Sequence, residues 1–280
     1  MTANADQVKY WNEVSGAAWI EHEEALDTLV HPFGLRAMDV LAVEPGMRII
    51  DIGCGCGGTT IELARRTGPA GQAVGVDLSR PMVERARRRA AEAGVENAAF
   101  VLGDAQTAEL PAESDGAFSR FGIMFFDDPR AAFANIRAAL RGGGRLVFAC
   151  WQGLDANPWL WLPARAADPH IGVTDPAPPD VPGPFGLADP KRTEGLLEDA
   201  GFGAVSIEAC ALEVQAPGGS DTEDVAGVLL EILPTRHRMR EAPEDARAQA
   251  RRAVAAALRP HAAADGVRLR GAAWVVSATA

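Results

Sequence analysis

The chain has 280 residues, enough for one α/β domain with additions or for two small domains, and its 48% apolar content supports a full core. A net charge of −11 argues against a nucleic-acid substrate, which would need concentrated Lys and Arg to neutralise phosphate. Cys54, Cys56, Cys150 and Cys210 repeat no ligand-pair spacing, no apolar run approaches the ~20 residues that cross a bilayer, and the first residues lack a secretion signal. A cytoplasmic protein with reduced thiols and no metal is therefore the expectation.

Residues 5–40 read as helical and concentrate Tyr10, Trp11, Trp19, His22, His31 and Phe33. Pro45-Gly46 marks a turn, and Met47 to Ile52 reads as a strand buried on both faces. Gly53, Gly55, Gly57 and Gly58 follow, and then a helical pattern from Thr59 to Thr67. Such a turn brings backbone N–H groups close to a ligand, and the helix behind adds its positive end, so an anionic or polar group is cradled there. Gly53, Gly55 and Gly58 also satisfy the G-x-G-x-x-G pattern of dinucleotide sites. Asp51, two residues before the first glycine, would repel a pyrophosphate and would welcome an ammonium.

Gly68 to Gly71 leads into a second strand, Ala73–Val76, closed by Asp77 at the position where open α/β folds grip a ribose diol. Ser79 reads as the N-cap of the next helix, with Pro81 in its first turn and Gly94 as its stop. Met82, Ala86 and Ala90 supply that helix's buried face; Arg85, Arg87, Arg88 and Arg89 read as its solvated face. A third strand, Ala98–Leu102, ends in Gly103-Asp104-Ala105-Gln106. Asp51, Asp77 and Asp104 thus stand at three successive strand ends, although Asp104 alone would also suit a turn cap.

The fourth strand lies near Gly116–Met124. Arg120 at its end is a fixed cation, either for a substrate carboxylate or phosphate or for a partner such as Glu21 or Glu23. Asp128-Pro129 opens a helix with Ala132, Phe133, Ile136 and Leu140 on its core face; Gly142 to Gly144 ends it before a buried strand, Arg145–Trp151. From Gln152 to Pro190 fall nine of the nineteen prolines, with Trp159 and Trp161, which predicts an ordered loop rather than a regular helix. A helix from Pro190 to Ala200, a strand over Ala204–Leu212, helices over Val225–Leu233 and Glu244–Leu258, and a strand over Val267–Val276 complete the pattern.

On Asp51-Ile-Gly53-Cys54-Gly55-Cys-Gly57, Asp77 and Asp104-Ala105-Gln106, the stretch from Leu41 to Trp151 resembles the class I S-adenosylmethionine-dependent methyltransferases of small-molecule type. The resemblance implies an α/β, Rossmann-like, doubly wound sheet of seven strands, mostly parallel with the last strand antiparallel. It divides the chain into an N-terminal helical lid (1–40), a cofactor-binding core (41–151), a Pro/Trp-rich cap loop (152–190) and the C-terminal part of the core (191–280) with a helical insertion at 221–262.

The cofactor contacts that it implies are Asp51, Gly53, Cys54, Gly55, Asp77, Leu78, Met82, Asp104, Ala105, Gln106 and Arg120, with Tyr10 and Trp19 from the lid. Phe121, Trp151 and Trp159 are expected to face the substrate, and His31 is the candidate for a base. The Asn-Pro-Pro-aromatic signature of enzymes acting on base or amide nitrogens is missing. The expected reaction moves a methyl group from S-adenosylmethionine to an oxygen or nitrogen, before carbon or sulfur, of a small bacterial metabolite and leaves S-adenosylhomocysteine. No metal, nucleic acid or membrane is expected as partner, and the chain is expected to be a monomer or homodimer. A nicotinamide-dependent oxidoreductase leaves Asp51 and the Asp104 triplet without purpose, and a non-catalytic nucleotide-binding scaffold leaves intact motifs unexplained.

Overall fold

Strands apolar on both faces must lie inside a sheet covered by helices on both sides, and that is where the computed structural model, which describes residues 4–173 and 181–280, puts them. The chain opens with α1 (Ala5–Lys9), a π-helical turn (Tyr10–Val14), α2 (Gly16–Glu21) and α3 (Glu23–Leu41). The core follows as β1 (Arg48–Ile52), α4 (Gly58–Thr67), β2 (Gln72–Asp77), α5 (Arg80–Glu92), β3 (Ala98–Leu102), β4 (Ser114–Arg120), α6 (Pro129–Ala139) and β5 (Leu140–Trp151). Then come α7 (Pro158–Ile171), α8 (Pro190–Asp199), β6 (Gly203–Gln215), α9 (Thr222–Ile232), α10 (Arg236–Glu241), α11 (Glu244–Leu258), β7 (Ala262–Ala263) and β8 (Gly266–Thr279).

The sheet runs β3-β2-β1-β4-β5-β8-β6, with the short β7 paired to β8. β1 to β5 pair in parallel, and β8 lies antiparallel between β5 and β6, so the expected architecture holds. The strand order reverses between β1 and β4, which opens a crevice at the carboxyl ends of the strands, where such sheets take ligands. α3, α4 and α5 pack on one another over one face, and α6 and α8 cover the other. Phe33, Phe118, Phe133 and Phe148 are fully buried between these layers.

Two readings of the sequence need correction. Gly142 to Gly144 do not separate α6 from the next strand; they lie within β5, whose pairing with β4 shifts register between Ser114 and Gly116. The proline-rich stretch is also not loop throughout, because Pro158 to Ile171 forms α7 with Pro163 and Pro169 inside it. Pro158 occupies the first turn, where its missing N–H is not needed. Trp159, Pro163 and Ala167, four residues apart, form a buried stripe against the rest of the chain, and α7 packs along α11. Burial of that stripe offsets the hydrogen bonds lost at the interior prolines. Pro176, Pro178 and Pro179 lie outside the described residues.

Asn157 joins β5, α7 and β8. It is fully buried, its Nδ2 lies 3.1–3.2 Å from the carbonyls of Gln152, Gly153 and Ala272, and its Oδ1 accepts from the Ala272 N–H and from Trp159 Nε1. Asn157→Ala strands several buried polar groups at once and is expected to cost about 3–5 kcal/mol in urea unfolding.

Candidate cofactor and substrate site

The carboxyl edge of the sheet at the strand-order reversal carries the three strand-end acids, each held differently. Asp51 is fully buried at the end of β1; its Oδ2 accepts from the hydroxyls of Thr59 (2.6 Å) and Thr60 (2.7 Å) in the first turn of α4. Its Oδ1 has no partner. Burial pushes the Asp51 pKa up to about 6, against the opposing pull of the two hydroxyls and of Arg120. Asp77 accepts backbone N–H groups at both oxygens, from Gly55 and Ser79, each at 2.8 Å, and so ties the glycine turn to the start of α5. Burial raises its pKa too, and those N–H groups oppose the rise. Asp104 caps its turn with Oδ1, which accepts from the Gln106 N–H at 3.0 Å, while its Oδ2 is buried without a partner.

The glycine turn approaches the chain after β4 so closely that a Cβ on Gly53 would lie 2.7 Å from Gly122 Cα. Gly53 and Gly55 also adopt φ of +66° and +54°. Cys54 and Cys56 in the same turn are buried; burial pushes Cys56 up to about 12 and Cys54 well above the usual thiol range, so neither is a thiolate at neutral pH. Met82 is buried beneath the turn, with its Cε 3.1 Å from the position of a Cβ on Gly55, and Leu78 is half-buried beside it. Ala105 and Gln106 tie the loop after β3 to α6: Asn135 Nδ2 donates to the Ala105 carbonyl, and the Asp128 N–H donates to Gln106 Oε1.

At the end of β4, Arg120 donates from Nη2 to Asp27 Oδ1 at 2.7 Å, so its partner is neither Glu21 nor Glu23. Phe121 follows with φ +59°, a conformation that costs a non-glycine residue about 1 kcal/mol or more. That turn stacks its ring on Trp151 at 3.8 Å, and Phe33 and Trp159 pack on Trp151 at 5.2 and 5.1 Å. All four rings are buried.

The N-terminal helices are bound to this edge by polar contacts that sequence reasoning missed. Asn12 donates from Nδ2 to the Leu78 carbonyl and accepts at Oδ1 from the Arg80 N–H, both at 3.0 Å. Ser79 does not cap α5 with its hydroxyl, which instead donates to the Trp11 carbonyl, because Asn12 already satisfies the first turn. Trp11 packs edge-on against Tyr10, Trp19 and Phe125; Tyr10 is 43% exposed.

The arginine run of α5 is not simply a solvated face. Arg85 pairs with Glu23, Arg89 with Asp27, and Arg87 donates to the Phe100 carbonyl, which leaves Arg88 exposed. Glu23 and Asp27 sit four apart on α3 opposite arginines four apart on α5, a signal present in the sequence. Arg85 holds the Glu23 carboxyl below its usual pKa. His31 is exposed on α3 and makes no hydrogen bond among the described residues. No group of three His, Cys, Asp or Glu side chains placed to hold a metal occurs among the described residues, and no helix there is long and apolar enough to cross a membrane.

Residues 49–144 match a methyltransferase domain family. Over 118 residues the chain is 35% identical to the aklanonic acid methyltransferase of a Streptomyces species, covering 42% of this chain and 54% of that protein. Over 195 residues it is 29% identical to the nocamycin O-methyltransferase of Saccharothrix syringae, covering 66% of this chain and 70% of that one. The first relative is therefore matched over about half its length. Among solved structures, the YcgJ protein of Bacillus subtilis is similar in fold, with a TM-score of 0.53 at 19% identity over 89% of this chain and 97% of that one.

Asn12→Ala removes two hydrogen bonds that hold residues 10–14 to the start of α5. Amide hydrogen exchange in that segment is expected to quicken about tenfold, with little change in the exchange of β1 and β4.

Proposed function

Because the chain belongs to the class I S-adenosylmethionine-dependent methyltransferases, we propose that it transfers a methyl group from S-adenosylmethionine to an oxygen or nitrogen of a small-molecule acceptor. The observation that carries the reading is the pair of buried carboxylate oxygens without partners, Asp51 Oδ1 and Asp104 Oδ2, one on each side of Asp77 along the sheet edge. Unpaired buried oxygens of this kind call for donors. A ligand with an ammonium at one end and an amino-bearing purine at the other supplies them, whereas a dinucleotide would bring its pyrophosphate to Asp51.

When bound, this cofactor supplies a methyl group already activated by its sulfonium. The chain's own residues hold and orient. Asp51 receives the ammonium, Asp77 offers its remaining lone pairs to the ribose hydroxyls, and Asp104 accepts from the purine amino group. Leu78 and Met82 flank the purine, Gly53 to Gly55 give close backbone approach, and Tyr10 and Trp19 support Trp11 in the covering segment. The buried Phe121, Trp151 and Trp159 form an apolar wall on the acceptor side that excludes water. The exposure of His31 supports catalysis by positioning without a dedicated base. The similarity to the nocamycin O-methyltransferase supports oxygen as the first acceptor atom to try.

Calorimetric titration with S-adenosylmethionine, S-adenosylhomocysteine and NADH tests this. Micromolar binding of the first two is expected, weakened about tenfold or more in Asp51→Asn and in Asp104→Asn; binding of NADH alone would reverse the assignment. The raised pKa of Asp51 adds a pH signature. Its carboxyl takes up a proton as pH falls through about 6, in the setting of Thr59, Thr60, Arg120 and Asp77, and an ammonium then loses its counter-charge. Affinity should therefore fall between pH 7.5 and pH 5 in the unaltered chain, and Asp51→Asn should flatten that dependence.

A further inference from the structure

Arg120 lies near Asp51's end of the sheet: it follows Phe118, the β4 residue paired with Asp51, by two positions, and its charge acts on Asp51. Its side chain is only 12% exposed, so its guanidinium needs an anion. The stem lies against Gly34, where a Cβ would stand 2.8 Å from Arg120 Cδ, and the head is held by Asp27, about two turns earlier along α3. Asp27 reaches over the glycine turn to do this. Its Oδ2 lies 3.1 Å from the position of a Cβ on Gly58, the first residue of the ten-residue α4, and 3.3 Å from Arg89 Nη2. The chain thus places its own carboxylate between two guanidinium groups at the positive end of a helix.

The opposite charge is provided for at the same turn and is left open. Asp51 is fully buried, bonded through Oδ2 to Thr59 and Thr60 of that first turn, and its Oδ1 has no partner. A cation receptor with a free oxygen beside an anion receptor filled by the chain itself is the complement of a zwitterion.

We propose that Asp27 is a resident anion in the subsite for the cofactor's carboxylate: it holds Arg120 in the ligand-free chain and gives it up to an arriving α-amino carboxylate. The inference rests on the cofactor reading above. Asp27 binds Arg120 through one oxygen and Arg89 through the other, so release of Arg120 leaves α3 docked through Arg89 and through the Glu23–Arg85 pair. Asp27 is thereby a competitor that sets the affinity for ligands with an amino-acid end, and it is not itself a contact to them.

The sign of the effect separates this role from a supporting one. Calorimetric titration of the full chain and of Asp27→Asn is made with S-adenosylmethionine and with decarboxylated S-adenosylmethionine, which keeps the amine and lacks the carboxylate. Asp27→Asn is expected to bind S-adenosylmethionine about fivefold more tightly and the decarboxylated compound unchanged. Weaker or unaltered binding of S-adenosylmethionine, or an equal gain for both compounds, overturns the proposal. Asp27→Ser, read by the same two titrations, serves if the Asn variant does not fold. If the unaltered chain binds neither compound the cofactor reading itself fails, whereas binding without a gain in the variant removes only the role of Asp27.

Discussion

A carboxylate buried at the end of the central strand is the constraint around which the site is arranged. Asp51 sits where the order of strands reverses, with β2 on one side and β4 on the other, so its side chain is closed off from water. Two threonine hydroxyls from the first turn of α4 satisfy one oxygen and fix the helix relative to the strand. The other oxygen stays unpaired, and its desolvation raises the pKa toward neutrality. A group held this way is poised for a cation, and the glycine turn that follows cannot move away because Gly53 is packed on Gly122 and Gly55 is tied to Asp77.

The N-terminal helices are held by charge and the cluster around Trp151 by apolar packing, and the two differ in kind. Glu23 and Asp27 on α3 face Arg85, Arg89 and Arg120 in a partly exposed network, where each pair is worth little alone but several share a geometry. Such contacts exchange partners at small cost. The Phe33, Phe121, Trp151 and Trp159 cluster is buried and stacked, and it holds Phe121 in a left-handed conformation.

Similarity to known proteins follows the same division. The matched domain, residues 49–144, runs from β1 into the start of β5 and includes the three acids and the glycine turn. The N-terminal helices and the insertion from α9 to α11 lie outside it. Of these, the N-terminal helices reach the carboxyl edge of the sheet through Asn12 and Trp11, whereas α9 and α11 pack with α7.

The sequence by itself determined the alternation of strands and helices, the carboxyl-edge positions of Asp51, Asp77 and Asp104, and the glycine turn, because each is local: a period, a breaker or a spacing within a dozen residues. It misjudged α7, where prolines argue against a helix and a buried Trp159-Pro163-Ala167 stripe argues more strongly for one. It also missed the partners of Arg85 and Arg89 on the polar face of α5, since helix period reports which face is apolar and not which distant carboxylates meet the polar one. Only the tertiary structure decided that Asp27 rather than Glu21 or Glu23 meets Arg120, that Asn12 takes over the capping of α5, and that one oxygen each of Asp51 and Asp104 is left without a donor. Those facts depend on how α3 crosses the sheet and how deeply each carboxyl is buried, and contacts between residues some 60 to 90 positions apart leave no periodic trace in the chain.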